Sequence, residues 1–257
     1  MSDRAKQIGF SSQRIRLAWM DYAARLVHEA TSISEAKEAL LVHLGLDLAG
    51  SVKGNRSSRE KALTVLMRTW ITPSPDLKAL RDDCLTLLDG ASDSMSRVAI
   101  HWAMIGAAYP FWLAVATSAG RLLRLQQSLT ASQVRRRLSE TYGDRELVAR
   151  ATRTVLRSFV DWGVLDGAGT KGTYSASPLI ELDASRIVAP LFEALVGVKP
   201  GNRMSSHELV THPSLFPFRL GQISPQAIAA ASRRLEVHET GSGEVIGLNR
   251  MGDQERQ

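Results

Sequence analysis

Residues 129–177 read LTASQVRRRLSETYGDRELVARATRTVLRSFVDWGVLDGAGTKGTYSAS, and the order of signals within them decides the fold. Thr130 stands three residues before Gln133, the spacing of a capping box in which each side chain satisfies the other's backbone N–H, so a helix is predicted to start at Ala131. Ala131, Val134, Leu138 and Tyr142 then share one face, leaving Arg135, Arg136 and Arg137 spread around the other. Gly143 ends that helix, and Asp144 is placed to cap a second one running to about Trp162. On this second helix Val148, Ala151, Val155, Phe159 and Trp162 fall within an arc of roughly 80°, opposite Glu146, Arg150, Arg153 and Arg157. Gly163-Val164-Leu165, the glycine-rich run from Gly167 to Gly172 and Thr173-Tyr174-Ser175 follow as strand, turn and strand, a hairpin.

The same segment holds the charge. The chain has 257 residues and a formal net charge of +6, from 32 Lys and Arg against 26 Asp and Glu. Between Arg121 and Arg157 stand nine Arg and three acids, Glu140, Asp144 and Glu146, so that stretch alone is +6 and the rest is balanced at 23 of each. A local excess on a helix-turn-helix pattern points to a polyanion-binding surface, while a solvated Arg-rich face is the structural alternative. Gly167, Gly169 and Gly172 also match the dinucleotide fingerprint, but they lead into Tyr174 and Ser175 rather than a helix, so no helix N-terminus would face a pyrophosphate.

Upstream, residues 1–108 are predicted to form a helical bundle. Apolar periodicity marks Ile15 to Val27 and Ala36 to Leu44, the latter capped by Ser34, and residues 50–58 read as a polar loop. Helices follow over about 59–70, 75–88, 94–108 and 110–127. Val98 to Gly120 runs for 23 residues without Asp, Glu, Lys or Arg, long enough to cross a bilayer. Seven alanines, His101 and Pro110 at its middle predict instead two buried helices meeting at Tyr109-Pro110. The N-terminal ten residues carry charge and no apolar core, so no signal peptide is read there, and the lone Cys84 fits a reducing cytoplasm.

Downstream the order repeats. Ser185 to Val196 reads as a helix, Ser205 to Glu208 as a short helix start, and Ser224-Pro225 as a cap with proline at the first helical position, putting Ile228, Ala231 and Leu235 on one face. Residues 235–248 make a hairpin around Gly241 and Gly243. This half is only +2 from Ser185 to Arg250, and residues 251–257 are expected to fray. His207 and His212 share a His-x4-His spacing, but Pro213 and the loop composition argue against a metal site. His101, alone on a mostly apolar helix, reads as a core residue.

The layout of residues 129–177 resembles the winged helix-turn-helix family, some seventy residues being covered if the helix from Pro110 is its first. The fold class expected is mainly α: a helical bundle (1–108), a winged helix-turn-helix (109–182) and a second winged helix (183–250) with short β-hairpin wings, then the tail. The resemblance implies that the helix after Asp144 is the recognition helix and that Lys171 sits in the wing tip near phosphate. The order of the whole chain, through Ser58-Arg59-Glu60 to Leu88, Met95 to Leu125 and Leu156 to Leu165, looks like the BrxA proteins of bacteriophage-exclusion defence systems. That implies an accessory component of phage defence, working beside other defence-system proteins.

The function expected is therefore non-enzymatic binding of double-stranded DNA in the cytoplasm, through Arg135, Arg136, Arg137, Arg145, Arg150, Arg153, Arg157 and Lys171, with no cofactor, metal or membrane and with homo-oligomers allowed. Glu146 departs from the pattern, because it would repel phosphate. A transcriptional regulator, or a scaffold whose winged helices bind protein, is the alternative. No nucleophile–base pair, phosphate loop or spaced acid pair supports an enzyme.

Overall fold

A proline two residues past the end of a helix organises the centre of the molecule. In the computed structural model α5 (Ser94–Ala108) ends at Tyr109 and α6 (Pro110–Leu125) begins at once, the two bent by 119°. Pro110 lacks an N–H and disfavours helical backbone in the residue before it, so Tyr109 sits at φ −132°, ψ 86° while Pro110 opens the next helix at no hydrogen-bond cost. Every residue of α5 from Val98 to Ala108 is buried. Among the described residues no single helix is long and apolar enough to cross a membrane; the bent pair passes by length and composition only, and here it forms the core. The structure describes residues 8–10, 13–48, 56–91, 93–167, 169–241 and 243–249, with the side chains of 56 and 57 also left aside. Most of the predicted 50–58 loop, the first seven residues and the tail lie outside them.

Against α5 pack α1 (Leu17–Glu29), α4 (Lys78–Gly90), entered by a 3-10 turn at Pro75–Leu77, and the π-helical turn Met67–Ile71 that continues α3 (Arg56–Leu66), while α2 (Ile33–Leu48) packs on α1 and α3. The cap of α2 is not Ser34. The helix starts at Ile33, and Ser32 Oγ accepts from the Glu35 N–H at 3.1 Å. The hydroxyl two residues earlier is the one outside the helix, where a cap must sit.

After α6 come β1 (Ser128–Thr130), α7 (Ala131–Tyr142), α8 (Glu146–Asp161), β2 (Leu165–Asp166) and β3 (Thr173–Ala176). The antiparallel sheet has the order β1-β3-β2, with Leu129 opposite Tyr174 and Leu165 opposite Ala176. A parallel pair, β4 (Ile180–Leu182) with β6 (Phe218–Leu220), carries the chain onward. The second unit then runs α9 (Ser185–Val198), β5 (Arg203–Ser205), α10 (Ser206–Val210), a 3-10 turn at Pro213–Leu215, α11 (Pro225–Ala230), β7 (Leu235–Thr240) and β8 (Gly243–Leu248). Its sheet order, β5-β8-β7, is that of the first. In both units the strand after the first helix pairs with the last strand. The predicted apolar face of α11 is shorter than expected: Ile228 and Ala229 are buried, Ala231 is exposed and Leu235 already belongs to β7.

One hydrophobic cluster runs through all of these elements. Its centre is aromatic: Trp102 of α5 lies 5.3 Å from Trp112, 4.8 Å from Phe159 of α8, and 5.9 and 5.7 Å from Phe216 and Phe218 of the C-terminal part. At Gly120 helix α6 comes so close to the 3-10 turn that a Cβ there would lie 1.9 Å from the Pro213 carbonyl oxygen.

Candidate nucleic-acid interface

The candidate surface is built from α7, α8 and the β2–β3 hairpin. The capping box forms as the spacing predicts: Gln133 N–H donates to Thr130 Oγ1 at 3.2 Å, and Thr130 N–H donates to Gln133 Oε1 at 2.7 Å. Val134, Leu138 and Tyr142 turn inward, while Arg135, Arg136 and Arg137 are exposed. Gly143 takes φ +79°, a left-handed conformation that glycine adopts without strain, and the chain turns into α8.

Asp144 does not cap α8. The cap position is Arg145, without a side-chain hydrogen bond, and Asp144 instead accepts from Arg135 Nη2 at 2.6 Å and Nε at 3.3 Å. That pairing raises the Arg135 pKa and ties α7 to the turn, so this guanidinium is engaged in holding the corner. Arg145 is likewise turned toward its own backbone, with Nη2 donating to the Tyr142 carbonyl at 2.9 Å.

Helix α8 is buried on more than its expected stripe. Ala149, Thr152, Thr154, Leu156 and Ser158 are covered along with Val148, Ala151, Val155 and Phe159. Glu146, Leu147, Arg150, Arg153 and Arg157 remain exposed. Arg153 Nη2 lies 3.4 Å from Glu146 Oε1. Arg136, Arg137, Arg150, Arg157 and Lys171 have no carboxylate within 4 Å among the described residues.

The hairpin sits against this stripe. Tyr174 of β3 is half-buried, which raises its phenol pKa against the opposing influence of Arg157 and Arg153 beside it. Lys171 lies in the β2–β3 turn next to Gly172, whose carbonyl accepts from the Ala131 N–H at 3.0 Å, tying the turn to the start of α7.

The far end of α8 is anchored by a segment the sequence did not connect to it. Ser158 Oγ accepts from the Ile15 N–H at 2.9 Å, Trp162 Nε1 donates to the Ile15 carbonyl at 3.1 Å, and Asp161 accepts from the Leu17 N–H at 3.1 Å. The helix that carries the arginines is therefore fixed to the bundle at its C-terminal end and packed on α7 along its buried face, with Arg150, Arg153 and Arg157 left exposed.

The second unit presents a different surface. Arg234 is tied to Glu193 at 2.7 Å and to Asp83 at 2.8 Å, and the hairpin carries Glu236, Glu239 and Glu244. Elsewhere, His101 is fully buried with Nε2 2.8 Å from Asp21 Oδ1, and Arg97 bonds the same carboxylate. Burial lowers the His101 pKa despite that partner, and its Nδ1 has none. Asp21 was missed in the sequence because it stands 80 residues away. The Cys84 thiol is buried and its pKa raised by burial. Among the described residues no group of three or more His, Cys, Asp or Glu could hold a metal ion. No protein-family profile, curated protein or solved structure matches the chain.

Proposed function

We propose that this protein binds duplex DNA without catalysing a reaction, with β1, α7, α8 and the β2–β3 hairpin acting as a winged helix-turn-helix. The observation that carries this reading is the set of exposed arginines free of carboxylate partners, Arg136, Arg137, Arg150 and Arg157, gathered with Arg153 and Lys171 on one helix-turn-helix and its hairpin. A helix fits the major groove, a guanidinium fork pairs with guanine, and neighbouring cations neutralise phosphates. Arg135 and Arg145 serve the corner first in this reading, because each is already bonded there, to the Asp144 carboxylate and to the Tyr142 carbonyl.

The C-terminal unit supports a second role. Its acidic hairpin would repel phosphate, which favours protein docking on that side and agrees with the adaptor alternative for this unit alone. Placement in a phage-exclusion system rests on the resemblance to BrxA proteins, and placement in the cytoplasm on the lone Cys84 and the charged N-terminal residues.

The test is Arg150, Arg153 and Arg157 changed together to Ala. Each phosphate contact contributes about 0.9 to the slope of log K against log salt, so the slope should flatten by up to about 2.7 and duplex affinity should fall. A triple variant with unchanged circular dichroism that binds duplex as tightly as the parent at every salt concentration removes the proposal.

A further inference from the structure

Where the two units meet lies a cleft of about 990 Å³, and no residue of α7 or α8 lines it. Its walls come from α6, the chain from the end of β3 to Leu179, α10, the 213–215 turn, β6 and residues 221–225. Leu123, Leu179, Val210, Leu215, Leu220 and Ile223 make those walls largely apolar, and Leu179 and Val210 are among the large apolar side chains left exposed. The close approach of Gly120 to the Pro213 carbonyl braces one side, so the cleft does not simply collapse. An apolar cleft of this size between two packed units is the usual setting for a small ligand, with a few polar groups fixing its orientation.

Two such groups stand together here. His212 Nδ1 accepts from the Ser214 N–H at 3.3 Å, and burial brings the imidazole pKa down to about 4, so at pH 7 the ring is neutral and its proton is on Nε2. Nε2 has no hydrogen-bond partner among the described residues and is left to donate. Arg124, exposed, gives one Nη2 bond to the Thr211 carbonyl at 2.6 Å and pairs with no carboxylate among the described residues. Arg121 and Lys199 add positive charge around His212, while Glu208, the acid that acts on it, is held by Lys199 at 2.7 Å. Of the other polar side chains in the lining, Ser206, Ser224 and Arg219 already bond to Glu244, to the first turn of α11 and to Glu181. A guanidinium and a neutral N–H beside an apolar cleft complement one negative charge on an apolar body, where a phosphate would bring close to two.

We propose that this cleft binds a small apolar carboxylate, its chain against Leu179, Val210 and Leu220 and its carboxylate on Arg124 and His212 Nε2. The site is independent of the DNA-binding reading, because none of the arginines assigned to DNA lines it.

Decanoate is the probe. Calorimetric titration of the full chain should show saturable binding of one molecule per chain, weakened about tenfold for decanol and about tenfold in Arg124→Gln, since each removes a hydrogen bond to a charged group. Val210→Asp, on the exposed wall, should weaken decanoate as well by setting a carboxylate against its chain. Both variants should melt with the parent. In nitrogen-15 spectra of the parent, decanoate should shift the His212 imidazole signals, a readout that needs no substitution. No saturable binding, or an unmoved His212 signal, overturns the proposal. Decanol held as tightly as decanoate overturns it too and marks the cleft as an apolar docking groove; binding unchanged in both variants overturns it by placing the acid elsewhere.

Discussion

Replacing Gly120 by alanine puts one methyl group where α6 meets the 213–215 turn. The added Cβ would lie 1.9 Å from the Pro213 carbonyl oxygen, 2.8 Å from its carbon and 3.0 Å from Phe216 Cβ. Carbon and oxygen in a close C–H···O contact stay about 3.3 Å apart or more, so the overlap is about 1.4 Å. The main obstacle is backbone, which cannot swing aside as a flexible side chain can, so the helix and the turn must separate. Alanine contributes about 1 kcal/mol of helix propensity over glycine, whereas overpacking costs about 1–3 kcal/mol and more where the main chain must move. A net loss of about 2 kcal/mol is expected, which lowers the Tm of a chain this long by about 4–8 °C. Thermal melting followed by circular dichroism reads the Tm, and tryptophan fluorescence reads the displacement, since Phe216 and Phe218 lie within 6 Å of Trp102. Gly90→Ala is the control, because a Cβ there meets nothing within 4 Å. If Gly120→Ala melts at or above the parent temperature, the close approach does not bind the C-terminal part to α6.

Two further predictions concern titratable groups. Burial lowers the His212 pKa from 6.5 to about 4, so between those values the unfolded chain binds a proton that the folded chain does not, and stability falls as pH drops through that window, by about 1.4 kcal/mol per pH unit for a fully titrating group. His212→Asn keeps a side chain able to accept from the Ser214 N–H and removes the titration, so urea denaturation from pH 7 to pH 4 should show a shallower decline than in the parent; parallel declines would refute this. Arg234→Ala leaves the Glu193 carboxylate buried with only Ser232 Oγ at 2.7 Å, and should cost about 3–5 kcal/mol, partly regained when Glu193 is also made apolar. A loss below about 1 kcal/mol in denaturant titration would show that the Arg234 pair contributes little.

Signals that act within a few residues were legible in the sequence. The Thr130–Gln133 box, the left-handed Gly143 and the Tyr109-Pro110 break fix backbone through neighbours in the chain, and each stands where its spacing put it. The mainly helical fold followed from them, as did both hairpins. Partnerships across the chain were not legible. Asp144 carries the right side chain for a cap, yet Arg135 nine positions away takes it, and nothing in the spacing ranks one bond above the other. The second buried face of α8 was hidden because, Leu156 apart, its residues are small or hydroxylated. Thr152 and Ser158 return their hydroxyls to the Val148 and Thr154 carbonyls, which lets polar side chains enter the core without an unpaired group, and hydrophobic periodicity scores them as surface. Arg150, Arg153 and Arg157 are exposed, but the division between Arg135 and Arg145, bonded at the corner, and the arginines without a carboxylate partner among the described residues emerges only when those partners are seen.

The bonds between α8 and Ile15 also impose an order on synthesis. Ile15 and the Ser158 hydroxyl that receives its N–H are 143 residues apart. At about 5–20 residues per second, a ribosome needs on the order of 7–30 s to reach the second after making the first. In the last part of that interval the bundle waits with an open slot, Trp102 and Trp112 being made before the Phe159 ring that covers them. The helix that carries the arginines is thus one of the late pieces of the core, followed by the C-terminal part that sets Phe216 and Phe218 against Trp102, so a message truncated before α8 leaves these aromatic faces uncovered.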